Sequence, residues 1–177
     1  RIRYWDLAST DGGGKYTAGV LIARDKRTKR YYIEHIVRGQ WDIKKRDEMI
    51  LATAALDKEK YGARKVRTMV EQEGGASGSQ AALLFKDMLK DYPPSECDVP
   101  TGSKVIRMIP AASRAASGGV ALIAGAWNEE FLTEVAAFPF GTFSDQCDGF
   151  SGGVNAMQKS GSSGKVGAGA RYARAFQ

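Results

Sequence analysis

Glu71-Gln72-Glu73-Gly74-Gly75-Ala76-Ser77-Gly78 follows an apolar run over residues 66–70 and precedes a stretch with helical periodicity. A strand that delivers an acid into a Gly/Ser turn, with a helix opening next, presents that acid at the carboxyl edge of a sheet. Open α/β proteins place their ligands at such edges. Two other acid sites lie far away in the chain: Asp6, at the end of the first predicted strand, and the pair Asp145 and Asp148. Three acid sites, each at the end of an element, point to a carboxylate cage for divalent metal.

Working outward from this stretch, residues 1–8 read as a strand ending near Asp6, and 11–14 as a glycine turn. Residues 16–24 and 30–37 are β-rich runs separated by the charged turn Asp25-Lys26-Arg27-Thr28-Lys29, which predicts a hairpin. Asp42 is a fair N-cap for a helix over 43–61 with Gly62 as its stop, and Ile43, Ile50, Leu51 and Ala54 share one face. A strand at 65–70 leads into the acidic turn. The helix after it, over 77–89, carries Ala81, Leu84, Phe85 and Met88 on one stripe, and Pro93-Pro94 breaks it. A short strand at 96–99, a helix over 104–116 containing Pro110, and a buried strand at 120–124 follow. Asn128 is the expected cap of a helix carrying Phe131, Leu132, Val135 and Phe138. Ser144 opens the last helix, to about Gln158, with Phe150, Val154 and Met157 toward the core. The fold class is α/β: a mixed sheet of three antiparallel strands, then α/β units, flanked by helices.

At 177 residues, with 43% hydrophobic and 26% charged, the chain has room for one domain with a real core. Residues 1–158 form that domain; 159–177, opening with Ser160-Gly161-Ser162-Ser163-Gly164, read as a flexible basic tail. Of the net charge of +6, four charges come from Lys159, Lys165, Arg171 and Arg174, because no acid follows Asp148. That surplus favours an acidic partner such as nucleic acid. No apolar run reaches the length of a membrane span and no secretory pattern opens the chain, so no membrane partner is expected. The start at Arg1, without Met, suggests a domain cut from a longer protein. Cys97 and Cys147 lack metal-site spacing and read as reduced thiols of a cytoplasmic protein. His35 is the only histidine, which argues against a zinc site or a Ser-His-Asp triad.

Taken singly, each acid has a plainer reading. Asp6 resembles a turn cap, Glu71 and Glu73 a solvated pair, and Asp145 and Asp148 partners of a helix dipole. Two features favour the cage. The aromatic flank Tyr4-Trp5 should partly bury Asp6, and a buried carboxylate needs a cation to stay ionised. Gly149, Gly152 and Gly153 would weaken a plain surface helix by roughly 1 kcal/mol each, so they indicate close approach to another backbone, with Asp145 and Asp148 turned inward. Glu71 is the preferred ligand, with Glu73 as an alternate or supporting one. Hard oxygen ligands of this kind select Mg²⁺ or Mn²⁺, and two such ions suit phosphodiester hydrolysis. Lys15, Lys104, Arg107 and Arg114 are the candidate phosphate contacts, against the ordinary reading of solvated surface charge. The loop 74–78 lacks the Lys-Ser/Thr ending of a nucleotide-binding loop.

These residues also fall into a familiar order. Tyr4-Trp5-Asp6-Leu7-Ala8-Ser9-Thr10, with Tyr16-Thr17-Ala18-Gly19, resembles the first motif of the nuclease domain of tailed-bacteriophage terminase large subunits. Glu71-Gln72-Glu73 with Gly78 resembles the second motif. Thr101-Gly102-Ser103-Lys104 with Arg107, Gly119-Val120 and Trp127-Asn128-Glu129 are similar to the segment after it. Ser144-Asp145-Gln146-Cys147-Asp148 resembles the third acidic motif. The resemblance covers residues 1–158. It implies a ribonuclease H-like fold and an endonuclease that cuts concatemeric double-stranded DNA with two Mg²⁺ or Mn²⁺ ions. It also implies an ATPase domain upstream in the same full-length chain, the portal and small terminase subunit as partners, and action in the host cytoplasm. By position, Asp6, Glu71 and Asp145 match the metal-binding acids, with Asp148 as the fourth. The chain departs from the pattern at Gly74, where many relatives have proline, and at Ser103 and Ser144, where many have aspartate. The alternatives are another ribonuclease H-like nuclease, such as a resolvase or transposase core, and a non-catalytic DNA- or portal-docking module.

Overall fold

The structure, a computed structural model, describes residues 1–8, 14–72 and 75–162. Glu73, Gly74, most of the glycine turn at 11–14 and the tail beyond Ser162 lie outside them. The elements run β1 (Ile2–Asp6), β2 (Thr17–Arg24), β3 (Tyr31–Gly39), α1 (Ile43–Tyr61), β4 (Arg67–Glu71), α2 (Gly75–Met88), β5 (Ser95–Asp98), α3 (Lys104–Ala116), β6 (Val120–Leu122), α4 (Asn128–Ala137) and α5 (Asp145–Ser162). One six-stranded sheet has the order β5-β4-β1-β2-β3-β6. β1–β2 and β2–β3 pair antiparallel, as the meander predicts, whereas β1–β4, β4–β5 and β3–β6 are parallel.

The alternation of a strand sorts β1 between two cores. Ile2 and Tyr4 belong to the larger core, under α3, α4 and α5, while Trp5 belongs to the smaller one, with Ile50, Ala54 and Phe85 of α1 and α2. Asp6 therefore projects on the same face as Tyr4, toward α5. Glu71 follows by the same rule, because Met69 lies in the larger core and Val70 in the smaller.

α5 crosses this face at close range, and its glycines allow it. A Cβ on Gly152 would stand 2.4 Å from the Tyr4 ring, and one on Gly149 would stand 2.7 Å from Val20 Cγ2. The expected close packing is present, against side chains of β1 and β2 more than against another backbone.

Several elements are where the sequence puts them. Asp42 accepts a hydrogen bond from Lys45 N at the start of α1, and Gly62 ends that helix at φ 95°. α3 spans 104–116 and contains Pro110 without breaking. Phe150, Val154 and Met157 are buried, and α5 continues past Gln158 to Ser162.

Other expectations need correction. α1 buries Ile50, Thr53, Ala54 and Asp57, the last against a buried cationic partner, half-buries Leu51 and leaves Ile43 exposed. α2 buries Gly78, Ala82 and Phe85, half-buries Met88 and leaves Ala81 and Leu84 exposed, with buried Leu89 just past its end. β6 is a half-buried edge strand, not a buried one. Asn128 is the first helical residue of α4, with Trp127 at the cap position, and its amide ties back to Gly125 N and Ile123 O. Leu132 is exposed, and Phe138 lies just outside the helix.

Candidate metal and nucleic-acid site

The parallel pairing places three acids side by side. Trp5 is in register with Val70, so Asp6 and Glu71 end adjacent strands, and Glu71 is in register with Asp98. β1, β4 and β5 thus each end in a carboxylate at one edge of the sheet. Asp98 escaped the sequence reading, although Glu96-Cys97-Asp98 repeats the pattern of a short strand ending in an acid. Its Oδ2 accepts from Tyr4 Oη at 3.1 Å and its Oδ1 from Lys159 Nζ at 2.9 Å.

The N-terminus of α5 meets this edge from above. Asp145 and Asp148 are buried, at 4% and 3% exposure, and Tyr16 N donates to Asp145 Oδ2 at 3.2 Å. The positive end of the helix dipole faces both acids. Glu134 of α4 holds that helix end. Its Oε1 accepts from Gln146 N at 2.7 Å and Cys147 N at 3.2 Å, and its Oε2 from Gln146 Nε2 at 2.7 Å. Sequence reasoning missed this buried acid, which caps from a different helix. Arg38 packs 3.6 Å over the Tyr16 ring and reaches Glu134, linking β3 to the same corner. Replacing Glu134 by Ala strands two buried N–H groups. The expected loss is about 2 kcal/mol in denaturant unfolding, of which Glu134→Gln, keeping one acceptor, should restore about half.

Charge on the sheet side is unfavourable for Asp6. Burial first, then the nearby Asp148, Glu71 and Asp145, push its carboxyl well above the usual carboxylate range, with Lys104 opposing. Two cations of α3 share the cluster. Arg107 donates from Nη1 to Glu71 Oε2 at 2.7 Å and from Nη2 to Asp148 Oδ1 at 3.1 Å. Lys104 Nζ pairs with Asp148 Oδ2 and reaches Ser144 Oγ at 3.0 Å. Burial works against both charges, yet the carboxylates outweigh it and raise both pKa values. Lys104 and Arg107 share a helical face, as their spacing predicts.

Lys15 is exposed and flanks Tyr16. Arg114 is exposed about 10 Å further along α3 than Arg107, away from the acids. Glu73 lies outside the described residues. Both cysteines are free thiols, and burial pushes Cys147 up to about 12.

Four of the predicted acids and two of the predicted cations thus converge, but not as a closed cage. Among the described residues no group of three His, Cys, Asp or Glu side chains is arranged to hold a metal ion. Glu71 pairs with Arg107, and Asp148 with both Arg107 and Lys104. The donor set still fits a hard divalent cation, since it is all carboxylate, and added positive charge would relieve Asp6.

Neither a family profile nor a curated protein matches the sequence. Solved structures do. The nuclease domain of the P22 large terminase superposes with a TM-score of 0.60 at 14% identity, over 90% of this chain and 80% of that one. The Fowlpox virus resolvase in complex with Holliday junction DNA superposes at TM-score 0.55 and 16% identity, over 90% of this chain and 99% of that one. Another structure of the Fowlpox virus Holliday junction resolvase gives 0.51 and 16%, over 89% and 97%. The fold is ribonuclease H-like. No helix among the described residues of this ribonuclease H-like chain is long and apolar enough to cross a membrane.

Proposed function

We propose that this chain is a divalent-metal-dependent endodeoxyribonuclease domain that cleaves double-stranded DNA. The observation that carries the reading is the setting of Asp6: a central-strand carboxylate, pressed by three other acids from two elements, beside two cations. Asp6, Glu71, Asp145 and Asp148 would hold two Mg²⁺ or Mn²⁺ ions, with Glu73 as an alternate ligand. Bound there, such ions supply the positive charge that in-line hydrolysis of a phosphodiester requires. The chain's own residues do the rest. β1 and β4 fix two acids on a rigid edge, Glu134 and Tyr16 fix Asp145, and Lys104, Arg107 and Lys15 border the acids where a phosphate backbone would lie. Arg114 would add a contact further along α3.

The motif order supports a terminase setting. There residues 1–158 would act as the nuclease unit and 159–177 as a basic tail. An ATPase domain, portal and small terminase subunit would be partners, and concatemeric DNA in the host cytoplasm the substrate. A second reading, resolution of branched DNA, is favoured by one observation: the superposition covers 97–99% of the resolvase chains. Substrate choice separates the two. Linear duplex and supercoiled plasmid should be cut in Mn²⁺ as fast as a four-way junction of equal length. A preference for the junction of about tenfold or more would transfer the assignment to a resolvase, and no cleavage of any DNA would defeat both.

A further inference from the structure

The acids of the proposed nuclease are neutralised by the chain itself, and Arg107 is unusual in how it does so. Its guanidinium leaves α3 to span two other elements, with Nη1 on Glu71 of β4 and Nη2 on Asp148 of α5. Its side chain is 11% exposed, and that of Asp148 is 3%. Among the described residues, the buried Nε has no hydrogen-bond partner.

Arg3 shows what a permanent buried arginine looks like in the same protein. It meets one carboxylate, Asp57, with Nε and Nη2, and its Nη1 donates to the carbonyls of Gly19 and His35. Arg107 instead divides its fork between two carboxylates that repel each other and leaves Nε unpaired. That arrangement neutralises charge without satisfying the side chain. The backbone is fixed independently, since Asn155 Nδ2 of α5 donates to Arg107 O at 2.9 Å. The side chain can therefore change partners while α3 stays in place.

We infer that Arg107 is a resident counter-ion, whose bridge between Glu71 and Asp148 is broken when a divalent cation binds and whose guanidinium is then released to a DNA phosphate. The inference rests on the nuclease reading. Cation and guanidinium require the same carboxylate oxygens, so each must weaken the other's hold to the same degree. Lys104, 46% exposed, is the more freely solvated of the two cations and is the lesser competitor.

The test is calorimetric titration of Mn²⁺ into the full chain and its Arg107→Gln variant at one pH. The variant should bind Mn²⁺ about tenfold tighter, within the roughly 5–150-fold range of coupled binding, and should melt lower in EDTA. Arg107→Lys, which keeps the charge but not the fork, should gain less and covers the case in which the Gln variant fails to fold. In the wild type, the ¹H–¹⁵N signal of Arg107 Nε, assigned by its loss in the folded variant, should shift or broaden as Mg²⁺ saturates. A folded variant with equal or weaker Mn²⁺ binding overturns the inference and leaves the nuclease reading standing, as does an unmoved Nε signal in metal-saturated protein. A wild type that binds no Mn²⁺ overturns both.

Discussion

Replacing Asp6 by Asn should abolish Mn²⁺-dependent plasmid nicking while making the metal-free protein more stable. The two effects have one cause. Asp6 sits at the carboxyl end of the central strand with three acids nearby, and burial with those charges makes its ionised form unfavourable. Asn keeps the shape and removes the charge, so it removes both the repulsion and a metal ligand. The expected loss of cleavage is on the order of 10³-fold. The expected gain, with EDTA present, is about 1–2 kcal/mol, or a few degrees in melting temperature for a domain of this size.

The sign with pH follows from linkage. The folded protein binds the Asp6 proton more tightly than the unfolded chain does. The resulting stabilisation is complete below the ordinary carboxylate range and is lost as pH rises through the raised folded value. Wild type and Asp6→Asn should therefore melt together near pH 4 and separate toward neutrality, with the variant higher. Mn²⁺ should reverse that order at pH 7 by stabilising the wild type more. Melting curves in EDTA and in Mn²⁺, beside a nicking assay, check all of this. A variant that still nicks plasmid would remove Asp6 from the chemistry, and one that melts lower in EDTA at pH 7 would contradict the electrostatics.

How much of this site could be read from the sequence depended on the kind of interaction. Asp6, Glu71, Asp145 and Asp148 stood at element ends, and local patterns mark element ends well: Asp42 and Gly62 bounded α1 in the sequence and bound it in the structure. The glycines of α5 announced close packing before its partner was known. Interactions across the fold were the ones missed. Glu134 caps a helix that starts eleven residues later, and Asp98 gains meaning only when β5 pairs beside β4. Asp57 carried no signal in the local pattern, because its partner lies 54 residues away. Hydropathy also misjudged α2 and β6. The first buries Gly78 and Ala82 while exposing Leu84, and the edge position leaves the second half-covered.

Asp57 yields the largest expected effect on stability, on the face of the sheet opposite the acids. Strand alternation turns Arg3 away from Asp6 and toward α1, where it is 1% exposed. There Asp57 accepts from its Nε at 2.9 Å and its Nη2 at 2.8 Å, and Nη2 lies 3.3 Å from His35 Nδ1. Removing Asp57 leaves a guanidinium buried without its counter-charge. The expected cost of Asp57→Ala is about 3–5 kcal/mol, because desolvation of Arg3 is no longer offset. A reverse double change, Arg3→Met with Asp57→Leu, should recover most of that loss, since neither charge then needs a partner. Urea unfolding of the single and double variants measures the difference. If Asp57→Ala cost less than about 1 kcal/mol, Arg3 would have to be reaching water by a shift of α1. The double variant should keep Mn²⁺-dependent nicking, because β1 carries Arg3 and Asp6 on opposite faces and only the second meets the acids of β4 and α5. A loss of nicking without a loss of stability in that variant would mean that the two faces of β1 are coupled through the strand itself.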